Sequence, residues 1–148
     1  SLTRVLRQLV DYANTTEVGG APLAHDPYVR RRLAALAADL AALRLIFYRA
    51  GCLIRDGAPL TYETAMAKVY ADETGQKLAR LGMDLLGVWG PLREGSRWAK
   101  LNGQISHLYQ TTLGHTIAGG TAEVLRTTVA VRGLGLTAEP KVAVESRR

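Results

Sequence analysis

Between Asp26-Pro27 and Gly57, apolar residues fall at Val29, Leu33, Leu36, Leu40, Leu43, Phe47 and Ile54. Their recurring helical spacing traces one stripe along roughly seven turns of α-helix. A helix of that length with a single apolar face needs partner helices to cover it, so this segment decides the class of fold. Asp26 followed by Pro27 reads as an N-cap and a first helical residue, where the missing proline N–H costs nothing. Gly57 closes the helix and Pro59 stops any continuation.

The partners can be read from the same periodicity. From Ser1 to about Asn14, Leu2, Val5, Leu6, Leu9 and Val10 keep helical spacing. This helix starts without a capping signal and reads as one cut in its middle, so the chain is expected to be a fragment. After a loop rich in Gly and Pro comes the long helix, and Thr61 is expected to cap a third that carries Met66, Tyr70, Thr74, Leu78, Leu81 and Leu85. From Leu92 to Gly119 the pattern weakens, and Trp98, Leu101, Ile105, Leu108 and Tyr109 suggest short helical pieces or an ordered loop. A last helix is predicted from about Thr121 to Val131. Prolines 22, 27, 59, 91 and 140 mark joints and interrupt no stripe. The expected fold is all-α, an antiparallel four-helix bundle over residues 1–138 with a flexible tail at 139–148. A single Phe beside abundant Ala and Leu favours helix over sheet, and 47% hydrophobic residues in 148 suffice for one core.

Several function classes are disfavoured. The net charge of +6 has one tight cluster, Arg30 to Arg32, which reads as a solvated helix face; a basic nucleic-acid binder is the weakest reading. His25, His107 and His115 have no second ligand at metal-binding spacing. No serine lies in a strained elbow, and Cys52 has no neighbouring base, which argues against a hydrolase. Cys52 is expected to be a small core residue in a reducing cytoplasm. No basic-then-apolar leader opens the chain, and no uncharged run reaches the ~20 residues that span a bilayer, so a soluble protein is expected.

The stretch Thr116 to Arg126 carries the most chemistry. It joins a Gly119-Gly120 turn, a Thr121 able to cap a helix, and an amphipathic helix ending near Leu134-Gly135-Leu136. Glycines admit close backbone approach, and a helix N-terminus offers N–H groups to a phosphate or a thioester carbonyl.

Four motifs occur in order: Pro22 to Arg30, Met66-Ala67-Lys68, Leu85-Leu86-Gly87, and Ile117 to Val124. Together they closely resemble the C-terminal helical domain of acyl-CoA dehydrogenases over nearly the whole chain. The resemblance implies FAD-dependent α,β-dehydrogenation of an acyl-CoA thioester, a base that removes the α-proton, and an N-terminal helical and a middle β-domain not present here. It implies flavin contacts at Thr121 and Glu123, a backbone contact to substrate at Gly120, and contacts from Asp84, Gly87 and Val88 to the adenosine half of an FAD held mainly by a neighbouring subunit. It also implies a homo-oligomer, dimer or tetramer, and an electron-transfer flavoprotein as acceptor.

Four positions depart from the family pattern. Asp84 and Gly87-Val88 stand where many relatives have Gln and Gly-Gly, and Thr16 stands where many direct an arginine at the pyrophosphate. Gly119 occupies the place of the catalytic glutamate and cannot take a proton. Other branches of the family supply the carboxylate from the earlier helix, so the resemblance implies a base upstream of Ser1, in the helix that Ser1 interrupts. Glu123 is a poor substitute, since a carboxylate in a first helical turn is stabilised as an anion. The competing reading is a non-catalytic helical interaction module or a degenerate subunit of a hetero-oligomeric dehydrogenase.

Overall fold

In the computed structural model, which describes residues 1–136, the long helix α2 covers Pro27–Arg55. It begins as its sequence dictates, with the Tyr28 N–H donating to Asp26 Oδ1 at 2.7 Å. Before it lie α1 (Leu2–Thr15) and a small antiparallel hairpin of β1 (Glu17–Val18) and β2 (Ala21–Pro22). After it come α3 (Glu63–Leu86), α4 (Gln104–His115) and α5 (Ala122–Thr128), which runs on into a π turn at Val129–Gly133. The fold is all-α in substance, as expected, and the tail at 139–148 lies outside the described residues.

Polar pairs show how α2 and α3 run. Arg32 meets Asp84 at 2.7 Å, Asp39 accepts from Lys77 at 2.9 Å and from the Tyr70 hydroxyl at 3.0 Å, and Arg49 lies 3.7 Å from Glu63. Partners descend along α3 as they ascend along α2, so the two helices are antiparallel. α4 is antiparallel to α3 in turn, because Gly82 faces Ile105 while Gly75 faces Thr112. A Cβ on Gly82 would stand 2.8 Å from Ile105 Cδ1, so the small residue is what lets these helices close up.

The core is built from Val5, Leu6 and Leu9 of α1, Val29 to Leu43 of the α2 stripe, Leu78 and Leu81 of α3, and Ile105 of α4. Burial stops short of the stripe's far end, where Phe47 and Ile54 are 53% and 64% exposed. The reason is length: α1 has 14 residues against 29, about 21 Å against about 44 Å, and is too short to cover both halves of α2. Cys52 lies on that half and is exposed, which corrects its expected place in the core.

Two local expectations are also corrected. Thr61 does not cap α3; Glu63 reaches back instead, its carboxylate accepting the N–H of Thr61 at 3.1 Å and of Tyr62 at 3.2 Å. Burial pushes the Glu63 carboxyl up, but these N–H groups, its own and Arg49 together hold it below the ordinary range. The second is α4, one twelve-residue helix in the stretch that reads as short helical pieces or an ordered loop.

The hydrogen bond from Lys77, against the opposing effect of burial, holds the Asp39 carboxyl below its ordinary value of about 4, with the Tyr70 hydroxyl assisting. A depressed pKa contributes stability that is present above the unfolded value and is lost as pH falls through the folded one. Asp39→Asn is therefore expected to lower stability by about 1 kcal/mol at neutral pH, with the difference vanishing in acid. Thermal melts of both proteins from neutral pH to pH ~3 check this; a constant gap across the range would refute it.

Candidate functional site

The residues nominated by the sequence fall into two clusters. The first sits where α3 ends. Gly87 terminates the helix at φ +54, ψ −127, a conformation that favours glycine, and a Cβ there would meet nothing within 4 Å. Its backbone therefore faces open space. A groove of about 520 Å³ opens here, lined by Thr16 and Val18 from the hairpin end, Tyr28 from α2, and Asp84, Gly87, Val88 and Trp89 from the end of α3. Thr16, Asp84, Gly87 and Val88 are thus brought together. Val88 is 81% exposed at the rim, and the Gly19-Gly20 hairpin turn, at φ +63 and +83, holds Val18 beside it.

Asp84 is not an isolated negative charge in this groove. Arg32 Nη1 donates to Asp84 Oδ2 at 2.7 Å and to the Tyr28 hydroxyl at 2.9 Å. Its guanidinium also lies 5.4 Å from the centroid of the Tyr28 ring. The hydrogen bond to Asp84 holds the Arg32 pKa above its ordinary value. Arg32 and Tyr28 were not among the nominated residues. Arg32 belongs to the Arg30–Arg32 cluster, which reads as a solvated face, and Tyr28 lies in the Pro22 to Arg30 motif, which assigns it no role.

The second cluster is the α4–α5 junction. Gly119 and Gly120 take φ +69 and +104, and Thr121 then caps α5, its Oγ1 accepting the Val124 N–H at 3.4 Å. Glu123 is exposed, and its carboxyl is held below the ordinary range by its own backbone N–H and by the Thr121 hydroxyl. The Leu125 N–H donates to Thr121 O at 3.0 Å. Several first-turn donors that the sequence offers to an anion are thus engaged inside the chain, as is the Thr121 hydroxyl, while Gly119 is exposed.

The clusters lie at opposite ends of α3. Lys68 and Glu73 of α3 anchor the junction, while Asp84 stands about 24 Å further along the axis than Lys68. This chain does not unite them. A third cavity, of about 680 Å³ and lined by Arg4, Gln8, Arg93, Asn102, Gln104 and His107 among others, includes none of the nominated residues. Among the described residues no three His, Cys, Asp or Glu side chains converge as metal ligands, and no helix is long and apolar enough to cross a membrane.

A bundle whose Gly-Gly-Thr turn sits on one end of its central helix, with a glycine-terminated groove at the other, agrees with the comparisons. A family model described as acyl-CoA dehydrogenase, C-terminal domain, matches residues 1–134. The chain belongs to this family. It is 32% identical over 135 residues to the acyl-CoA dehydrogenase FadE26 of Mycobacterium tuberculosis, covering 88% of this chain and 34% of the relative. It is 32% identical over 123 residues to the mitochondrial short-chain specific acyl-CoA dehydrogenase of Bos taurus, covering 82% and 27%. Among solved structures, the ChsE4-ChsE5 complex from Mycobacterium tuberculosis superposes with TM-score 0.82 at 30% identity, covering 93% of this chain and 36% of that one. The steroid ACAD Tcur3481-Tcur3483 gives TM-score 0.82 at 31% identity, covering 92% and 34%. The chain spans between about a quarter and about a third of the length of these relatives.

Proposed function

We propose that this chain serves as the C-terminal domain of an FAD-dependent acyl-CoA dehydrogenase, contributing part of the flavin site and of the subunit interface while being inactive alone. The observation that carries the reading is the groove at the end of α3. It gathers Thr16 of the hairpin end with Asp84, Gly87 and Val88 at the end of α3, around an open backbone with Tyr28 and Trp89 as aromatic walls. Such a groove fits the adenosine half of FAD: Asp84, its charge compensated by Arg32, can accept from a ribose hydroxyl, and exposed Val88 gives the purine an apolar edge. The separation of the two clusters along α3 suits a flavin shared between copies, with Thr121 and Glu123 at its ring end and the Gly120 backbone beside the thioester. When bound, FAD would supply the acceptor for the β-hydride. Gly119 has no group to take the α-proton, so we assign the base to a residue outside this chain.

The expected substrate is an acyl-CoA thioester and the expected acceptor an electron-transfer flavoprotein. The exposed apolar side chains on the far half of α2, Leu45, Phe47, Tyr48 and Ile54, support an oligomer interface there. Exposed Cys52, the chain's single cysteine, suits a reducing cytoplasm.

Val88→Asp tests the flavin assignment. Because Val88 is exposed, stability should move by less than about 0.5 kcal/mol. A carboxylate in place of the apolar edge offered to the purine should weaken FAD binding by about tenfold in the assembled protein, read by titrating flavin fluorescence. Unchanged affinity would remove the groove from the flavin site.

A second reading, a degenerate subunit of a hetero-oligomeric dehydrogenase, is favoured by Gly119. The two solved relatives above are each described as a pair of differently named proteins. Mass measurement of the native assembly decides between them: one kind of subunit supports the first reading, two kinds the second.

A further inference from the structure

We propose that Lys68 is the positioning residue of the Gly119-Gly120-Thr121 turn, tying the end of α4 and the start of α5 to one place on α3. The inference rests on the reading that this turn faces flavin and substrate, and its geometry stands apart from that reading. Lys68 lies in the Met66-Ala67-Lys68 motif, for which the resemblance implies no site role of its own. Its ammonium pairs with Asp72 one turn along α3 and donates to the carbonyl of His115, the last residue of α4, at 2.8 Å. A cation at that point satisfies a terminal carbonyl that α4 leaves without an intrahelical partner, and it faces the negative end of the helix dipole.

The stem of the same side chain runs against the turn. A Cβ on Gly119 would stand 3.4 Å from Lys68 Cε, an ordinary packing distance. One side chain thus holds the last carbonyl of α4 and lies under the first glycine of the turn. Gln76 adds a second tie one layer away, its Nε2 donating to Thr112 O at 3.2 Å, and Arg126 of α5 pairs with Glu73. Neither of these touches the turn itself. Asp72, with its side chain only 14% exposed, keeps the ammonium aimed and prevents it from swinging to solvent.

The test compares Lys68→Met and Lys68→Arg in the full chain by amide hydrogen exchange. The reporters are Ile117 and Ala118, whose N–H groups bond Gly114 O at 3.2 and 3.0 Å. Lys68→Met should lower protection there by about tenfold while leaving amides in α1 and the first half of α2 unchanged. Lys68→Arg, which keeps a cation able to reach both Asp72 and His115 O, should recover most of the protection. Unchanged protection, equal loss throughout the chain, or failure of arginine to rescue would each overturn the proposal. FAD titration of the assembled variants separates the two readings. Loosened reporters with weakened FAD binding support both. Loosened reporters with unaltered FAD binding uphold Lys68 as the positioning residue and remove Thr121 from the flavin site.

Discussion

Gly103→Ala is expected to destabilise the chain by about 3–5 kcal/mol, the largest effect of any glycine substitution in it. Gly103 sits at φ +70, and a Cβ there would stand 2.2 Å from Glu94 N and 2.6 Å from Arg93 C. Two costs combine. A left-handed alanine is strained by about 1–2 kcal/mol, and the clash is with backbone, which cannot swing aside as a side-chain tip can. The corner is already unusual, since Leu101 and Asn102 also have positive φ, at +49 and +52. The loop's return across Gly103 places α4, and α4 in turn delivers the Gly119–Thr121 junction. Urea denaturation measures the change, with Gly95→Ala as control. Gly95 has φ +88 but nothing within 4 Å of its virtual Cβ, so it should cost only the conformational strain. Equal losses at both positions would show that the close approach at Gly103 carries no weight.

That corner also explains why α4 was hard to read in the sequence. A helix announces itself through a capping residue and a regular stripe. α4 has neither: its N-cap is a left-handed Gly103, and its apolar Ile105 and Leu108 are interleaved with Ser106 and Thr112, both buried. The hydroxyls face inward because they find partners, Ser106 donating to Pro91 O at 2.9 Å and Thr112 to Leu108 O at 2.9 Å. A stripe that counts only apolar residues misses them. By contrast the start of α2 was fully legible, because Asp26 and Pro27 act within one turn of their own position. The same divide separates what could be read of the candidate site. The cap at Thr121 and the glycine turn are local and were visible. The pairing of Arg32 with Asp84 and the reach of Lys68 to His115 O join residues 52 and 47 positions apart, and no periodicity encodes them. The far end of the α2 stripe was misread for a related reason: spacing says which face is apolar, and the lengths of neighbouring helices say how much of it is covered.

Leu78→Ala is expected to cost about 3–5 kcal/mol, and it should disturb both clusters at once. Leu78 is 0% exposed in the middle of α3, the helix that packs against every other α-helix among the described residues. Truncation removes the side chain's transfer energy and leaves a cavity that backbones fixed on several sides cannot collapse to fill. Leu45→Ala makes the contrast. Leu45 is the same residue type but 66% exposed, and its loss should change the stability of the dilute chain by less than about 0.5 kcal/mol. Against a typical total of about 5–15 kcal/mol, the first variant gives up a large share and the second almost nothing. Because α3 bears Asp84 near one end and Lys68 near the other, a loosened α3 should lower amide protection at Ala118 and at Gly90 together. Substitutions within either cluster should lower it at one alone. Exchange measured at both amides in Leu78→Ala therefore asks whether α3 couples the two ends. Loss confined to one end would mean that α3 frays locally and that each cluster is held by its own contacts.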